Sequence, residues 1–251
     1  MELGLGGKVA MVAAGTKGIG LAVAQELLAE GCRVSVCART PIALDGLDVF
    51  PANVSQAGDL EAWHDHVVTK FGHPDIVVTN TGGPPAGPWP EMSDEQWQAG
   101  FDSTLMNIVR LVRLAAPAMR ANGWGRIVHI TSLVAKMPEP LLPISSTLRA
   151  GIMALTRLQA SELAPHGITV NAVLPGHTLT DRQRHLAQVV AARQGTDENT
   201  ELARRGAAVP VGRLATPEEI AAAVTFLCSA RASYITGVNL VVDGGMTKGL
   251  D

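Results

Sequence analysis

Residues 8–20 read KVAMVAAGTKGIG, an apolar run that passes into a glycine-rich turn. The run ends at Ala13 and a helical pattern starts at Ile19, so the turn joins a strand to a helix. Glycines let the backbone approach a diphosphate, which is stabilised by the free N–H groups at a helix N-terminus. We interpret the stretch as the first strand, turn and helix of a nucleotide-binding unit; the alternative is a tight turn without a ligand.

Short apolar runs and helical patterns alternate along the rest of the chain. The strand-like runs are Lys8–Ala13, Arg33–Cys37, Asp75–Thr79, Arg126–Thr131, Thr169–Leu174 and Asn239–Val242. The helical patterns are Ile19–Glu30, Asp59–Phe71, Asp94–Ala121, Thr147–Ala164 and Pro217–Cys228, and Ser93 and Thr216 are predicted N-caps. Strands buried on both faces of a parallel sheet have this composition. We predict an α/β fold: a single doubly wound Rossmann-type domain over residues 1–251, with a seven-stranded, mostly parallel sheet and helices on both faces.

Residues Asp181–Arg205 interrupt the alternation. They are polar, have a helical composition and follow a Pro-Gly pair. We therefore predict that they form a mobile lid over a substrate site at the carboxyl ends of the strands.

Composition narrows the class of protein. The chain has 251 residues, of which 47% are hydrophobic and 17% are charged, and its net charge is −3. This balance gives no electrostatic case for nucleic acid or an anionic membrane. Neither a membrane-spanning run nor a signal peptide is visible, and the three cysteines form no ligand pattern. We expect a cytoplasmic protein with buried, reduced thiols.

The motifs together resemble those of the short-chain dehydrogenase/reductase family. That family's phosphate loop is Thr-Gly-x-x-x-Gly-x-Gly, and residues 13–20 read AAGTKGIG, with alanines in the first two positions. We expect Gly15 to restore the freedom that Ala14 removes. Residues 79–82 (TNTG), 175–178 (PGHT), 234–237 (YITG) and 242–245 (VDGG) match further family motifs, so the resemblance covers essentially the whole chain.

The resemblance implies a dinucleotide cofactor. It places these residues around the cofactor: Ala14, Gly15, Thr16, Lys17, Gly18, Ile19, Gly20, Arg39, Asn53, Val54, Asn80, Gly82, Arg149, Pro175, Gly176 and Thr178. NAD-specific relatives carry an acid where this chain has Ala38, and Lys17 and Arg39 are cations. NADP(H) is therefore favoured over NAD(H). The short interval from Arg39 to Asn53 predicts that the helix between these strands is shortened or lost.

The catalytic positions of the family are largely replaced. The family uses a serine, a tyrosine with a lysine four residues later, and an asparagine; the matching residues here are Ser132, Ser145, Arg149 and Thr104. Asn107 does not align with the asparagine but lies about one helical turn along. The chain's one tyrosine, Tyr234, belongs to the C-terminal motif and is too remote in the family layout to replace the acid.

These replacements change the chemistry. An alkyl hydroxyl is a far weaker acid than a phenol, so Ser145 is a poor proton donor. Arg149 does not deprotonate in proteins, which ends a lysine-type relay, but its guanidinium can hold ribose hydroxyls or a substrate carboxylate.

Three hypotheses follow. The first is an NADPH-dependent oxidoreductase acting on a carbonyl or conjugated small molecule, such as a ketoacyl thioester, with the proton supplied by Glu139, His177, Asp181 or water. The second is an NADP(H)-binding sensor or subunit without turnover. The third is a non-redox lyase or isomerase.

Partners and metals complete the expectations. The resemblance implies a small-molecule substrate and a homotetramer assembled through Asp94–Ala121 and Thr147–Ala164. We expect no metal site, because His64 and His66 point to different faces of a helix. His129 lies within a strand and is expected to be a core histidine.

Overall fold

A computed structural model gives the structure of residues 2–249. Seven strands form one sheet in the order β3-β2-β1-β4-β5-β6-β7, with all neighbours parallel. The strands are β1 Val9–Val12, β2 Arg33–Ala38, β3 Asp48–Pro51, β4 Ile76–Thr79, β5 Gly125–Ile130, β6 Ile168–Pro175 and β7 Asn239–Val242. The predicted fold class is confirmed, and the sheet is entirely rather than mostly parallel.

Eight α-helices connect the strands within this part of the chain. They are α1 Gly18–Ala29, α2 Ala57–Phe71, α3 Asp94–Phe101, α4 Asn107–Asn122, α5 Pro143–Leu163, α6 Asp181–Gln194, α7 Glu198–Ala207 and α8 Pro217–Cys228. Both predicted caps are present as full capping boxes, at Ser93 for α3 and Thr216 for α8. No helix forms between β2 and β3, as the short interval predicted. No helix in residues 2–249 is long and apolar enough to cross a bilayer.

The helices cover both faces of the sheet. On β1, Ala10 and Val12 join the core under α1 and α8, whereas Val9 and Met11 join the core under α2, α4 and α5. This alternation follows from the two-residue period of a strand. Burial on both faces explains why the strand sequences are apolar throughout.

A π-helical segment, Asp102–Met106, separates α3 from α4. The prediction of one continuous helix over Asp94–Ala121 is therefore wrong at this point. The Ser103 hydroxyl donates to the Ala99 carbonyl at 2.8 Å, so this helical carbonyl accepts a hydrogen bond from a side chain. Such segments insert an extra residue in a helix and are common at functional sites. Here the segment carries Thr104, which is buried.

The segment predicted as a lid consists of α6 and α7. Their helical nature matches its composition, but the inner face of α6 is packed. Leu186 forms a small apolar cluster with Val134, Leu142 and Ala86, which belong to the loops after β5 and β4. The segment therefore covers the carboxyl edge of the sheet, and its movement remains a prediction.

Candidate active site

The site lies at the carboxyl end of β1, where the order in which strands are added to the sheet reverses. Strands β2 and β3 extend to one side of β1, and β4 to β7 extend to the other. The connections that follow β1 and β4 leave in opposite directions, which opens a crevice at the carboxyl ends of the strands. The loop after β1, the loop after β4 and the start of α5 all meet there.

The glycine-rich turn has the tight geometry that the sequence indicates, with one difference. Ala14 itself adopts the left-handed backbone, with φ of +48°, and within residues 2–249 no other non-glycine residue has positive φ. The expectation that Gly15 supplies this freedom is wrong. Gly15 is required for packing instead, because a Cβ there would lie 2.7 Å from Val36 Cγ1.

The turn is suited to a diphosphate. Lys17, the N-cap of α1, makes no side-chain capping bond, and the first turn of α1 carries no acidic residue. The first N–H groups of α1 therefore face the crevice without a protein anion. A Cβ at Gly20 would lie 2.8 Å from Asn80 Nδ2, so only glycine allows this approach between the loops after β1 and β4.

The other predicted cofactor residues surround the same crevice. Asn80 donates to the Ala14 carbonyl at 3.4 Å, and the Asn53 side chain accepts from Ser55 N–H at 3.1 Å. Lys17, at the N-cap of α1, and Arg39, which follows β2, are exposed, and Ala38 is half-buried. On the other side, Gly176 is packed against Asp243, and Thr178 is buried with its hydroxyl on the Gly176 carbonyl. Thr16, Gly18, Ile19, Val54, Gly82 and Pro175 lie in the same loops and strand ends.

Ser145 and Arg149 form a buried pair on α5. Each is 6% exposed, and Arg149 Nε donates to Ser145 Oγ at 3.1 Å. Arg149 Nη1 donates to the carbonyls of Ile130 at 3.1 Å and Thr131 at 2.7 Å, at the end of β5. Burial, together with the charge of Arg182, lowers the pKa of Arg149 to about 10. The arginine is still a cation at neutral pH, and Ser145 acts as its acceptor.

Thr104 and Asn107 line a cavity beside this pair. The cavity is too narrow to hold a water molecule, and its wall includes Arg149 and Asn80. Asn107 Nδ2 donates to the Ser103 carbonyl at 2.9 Å. Thr104 Oγ1 and Asn107 Oδ1 are buried, and neither has a hydrogen-bond partner in the described chain. The structure thus brings Asn107 onto the same wall as Thr104, one turn along.

Ser132 follows β5 at the crevice. It has extended backbone and its hydroxyl accepts from Val134 N–H at 3.3 Å, which leaves its O–H free to donate. Strand β6 pairs with β5 up to Ile130 and Val173, so the residues after β6 lie beside Ser132. The nearest of these with a titratable side chain is His177, which is half-buried.

The three candidate proton donors have different surroundings. Burial lowers the pKa of His177, the charge of Arg205 lowers it further, and the charge of Glu139 opposes both effects. Glu139, in the loop after β5, is half-buried, whereas Asp181 is exposed at the start of α6. Of the three candidates, His177 is the one that combines burial with nearby charges of both signs.

Several other sequence interpretations agree with the structure. His129 is fully buried between Thr79 Oγ1 and Gln159 Oε1, both at 2.9 Å, as expected for a core histidine. Tyr234 is fully exposed, and its neighbour Thr236 accepts from Val170 N–H near the amino end of β6, the edge opposite the crevice.

The cysteines and histidines give no metal site within residues 2–249. The three cysteines are free and buried, and burial raises the pKa of Cys32 to about 11. His66 contacts Asp48 at 3.0 Å, whereas His64 contacts Asp65.

Arg182 is a residue of the crevice that the sequence interpretation missed. It lies on α6 and donates through Nη2 to the Pro84 carbonyl at 2.5 Å. Its Nε would lie 3.4 Å from a Cβ at Gly83, so it covers the loop after β4. The only sequence signal was its position at the start of a predicted lid helix, which does not indicate where a long side chain reaches.

Comparisons with known proteins agree with this geometry. Residues 13–247 match the family model described as enoyl-(acyl carrier protein) reductase. The chain is 34% identical to the monensin polyketide synthase putative ketoacyl reductase of Streptomyces virginiae, over 95% of this chain and 97% of that protein. It is 33% identical to the 3-oxoacyl-(acyl-carrier-protein) reductase FabG of Escherichia coli, over 96% and 97% of the two chains.

Solved structures give the same result. L-sorbose reductase from Gluconobacter frateurii, complexed with NADPH and L-sorbose, superposes with a TM-score of 0.92 at 33% identity, covering 100% of both chains. A variant of actinorhodin polyketide ketoreductase with NADPH gives a TM-score of 0.90 at 31% identity, covering 96% of this chain and 98% of that one.

The buried pair on α5 leads to a stability prediction. Replacing Ser145→Ala removes the acceptor of Arg149 Nε, so the free energy of unfolding should fall by about 1.5–3 kcal/mol, the usual range for a hydrogen bond to a charged group. The matched control is Ser146→Ala, because the neighbouring Ser146 hydroxyl is equally buried but has no partner. Its loss should change stability by less than about 0.5 kcal/mol. Urea denaturation of both variants measures the difference, and equal losses would contradict the assigned bond.

Proposed function

This chain belongs to the short-chain dehydrogenase/reductase family, and we propose that it is an NADP(H)-dependent oxidoreductase with an atypical proton donor. Its substrate is a small molecule with a carbonyl group or a conjugated double bond. The observation that carries the proposal is the position of Ser132 at the same crevice as the uncapped N-terminus of α1. One site can therefore hold a dinucleotide and orient a substrate oxygen.

The choice of NADP(H) rests on charge. Ala38 leaves the end of β2 without the carboxylate that would bind ribose hydroxyls, and exposed Lys17 and Arg39 are available for a 2′-phosphate. The two relatives described as complexes contain NADPH. When bound, the cofactor supplies or accepts a hydride at the nicotinamide. Arg149 is proposed to hold the nicotinamide ribose through Nη2, because its hydrogen bonds within the described chain leave from Nε and Nη1.

Ser132 is proposed to orient the reacting oxygen. Its hydroxyl hydrogen is free, so it can donate to a carbonyl oxygen as negative charge develops there. Ser145 is not proposed as the acid, because an alkyl hydroxyl is a far weaker acid than a phenol. Thr104 does not reproduce the family's asparagine, and with Asn107 it forms the wall of the cavity beside Arg149.

We assign the proton donor to His177. It is the first titratable residue after β6, which pairs with the strand that leads to Ser132, it is half-buried, and Glu139 and Arg205 are the charged groups whose fields act on it. A histidine with a pKa somewhat below 6.5 is a stronger acid than a free one and donates readily to an alkoxide. Reduction of a conjugated double bond would need a less effective proton donor than reduction of a ketone needs.

Binding without turnover is the second candidate function. It is favoured by the loss of the family's tyrosine and lysine, which leaves the cofactor residues intact. A lyase or isomerase at the same pocket is the third. Both alternatives predict that no substrate class is reduced or oxidised.

We further propose that the protein is a cytoplasmic homotetramer. Leu158, on the outer face of α5, is 69% exposed, which supports coverage of that helix by a second copy. Sedimentation velocity measures the assembly directly.

Cofactor binding and turnover test the proposal together. We expect NADPH to bind more tightly than NADH. Arg39→Ala should raise the dissociation constant of NADPH by at least about tenfold and leave that of NADH nearly unchanged, because a charge-assisted phosphate contact is lost. Arg33→Ala is the control, since Arg33 is exposed at the opposite end of β2. Calorimetric titration gives the affinities, and NADPH oxidation with ketones, ketoacyl thioesters and enones gives turnover. Binding with no turnover on any class would favour the second candidate function.

The pH profile tests the donor. If His177 must be protonated, kcat/KM for reduction should be highest below its pKa and fall about tenfold per pH unit above it. Because that pKa is lowered, the decline should begin below pH 6.5. In His177→Asn, activity should fall by about 10²-fold or more and this limb should disappear. His185→Asn, on the exposed face of α6, is the control. An unchanged profile in His177→Asn would exclude this donor.

A further inference from the structure

Two arginines meet in the crevice without an anionic partner. Arg149 is 6% exposed on α5, and Arg182 is half-buried on α6. No carboxylate of residues 2–249 forms an ion pair with either, although ten other ion pairs occur in this part of the chain. Buried cations in proteins are normally paired, because desolvation of an unpaired charge is costly.

Neutral oxygen atoms accept hydrogen bonds from only some of the N–H donors of Arg149. Its hydrogen bonds within the described chain leave from Nε and Nη1 and go to one hydroxyl and two carbonyls. These contacts fix the plane of the guanidinium and supply no negative charge. The pKa of Arg149 is lowered by burial and by the positive charge of Arg182, so the two guanidinium groups are close enough for their charges to interact.

Both guanidinium groups lie over the ends of neighbouring strands. Arg149 bonds to the carbonyls at the end of β5, and Arg182 bonds to Pro84 in the loop after β4. Strands β4 and β5 are adjacent in the sheet. Gly83 leaves room for Arg182, since a side chain there would contact its guanidinium. The two cations therefore converge from two helices on one region of the crevice.

Thr104 does not belong to this region. It is buried and lines a cavity next to Arg149 that is too narrow to hold a water molecule, so an anion does not reach its hydroxyl. The two arginines, neither of which is paired with a carboxylate of residues 2–249, are the groups available to negatively charged oxygen.

We propose that Arg149 and Arg182 form an oxyanion-binding site in the crevice, which takes a carboxylate or phosphate group. The group belongs either to a substrate that carries a negative charge close to its reacting carbon or to the dinucleotide. Binding at this site does not require turnover, so it can be measured whether or not the proposed redox reaction occurs.

Isothermal titration calorimetry with malonate tests the site. Wild-type protein should bind malonate and should not bind dimethyl malonate, which lacks the charge. In Arg182→Gln the dissociation constant of malonate should rise by at least about tenfold, as expected for loss of a charge-assisted bond. Arg193→Gln is the matched control, because Arg193 lies on the same helix and is more exposed, with one long ion pair of 3.6 Å.

A second arm identifies the source of the anion. Malonate binding that persists with saturating NADPH assigns the site to a substrate carboxylate, and malonate binding that NADPH abolishes assigns it to a cofactor phosphate. Arg149→Lys, which keeps the positive charge and loses the planar guanidinium, should weaken malonate binding in either case. Absence of anion binding to the wild-type protein, or equal binding by Arg182→Gln and Arg193→Gln, would overturn the proposal.

Discussion

The chemistry of the site depends on one buried cation. Arg149 joins α5 to the end of β5 through two carbonyls and holds Ser145 as an acceptor. Because an arginine stays charged at any physiological pH, it cannot pass a proton along. Its planar group instead fixes the wall of the crevice and gives it positive charge. The same fixed charge that is incompatible with a lysine-type proton relay therefore makes Arg149 suited to bind anionic or hydroxyl oxygen.

The nucleotide half of the site has kept its backbone requirements although its sequence has changed. Gly15 and Gly20 remain where a Cβ would collide with β2 or with Asn80. Ala14 accepts a left-handed backbone at some cost in conformational energy, because the surrounding turn is fixed by packing. This backbone shape agrees with the dinucleotide binding that we propose, and the different proton source remains a part of that proposal.

Most of the fold was predictable from the sequence, since alternating apolar runs and helical patterns determine a parallel sheet. The predictions were wrong where side chains decide local geometry. The π-helical segment at Asp102–Met106 contacts α5 and carries the bond from Ser103 to the Ala99 carbonyl, and helix propensity does not predict it. The contact between Arg182 and Pro84 spans 98 residues of sequence, so no local pattern could indicate it. Motif spacing located Ser132, Ser145 and Arg149, whereas the convergence of the two arginines required the folded chain.

The decisive measurement is ketone reduction by the double variant Ser145→Tyr, Arg149→Lys, with NADPH affinity determined on the same preparation. If only the proton-donating half of the site differs from that of other family members, the variant should reduce ketones that the wild-type protein does not reduce, with NADPH affinity unchanged within a few-fold. A folded variant that binds NADPH equally well and shows no gain in ketone reduction would contradict the account.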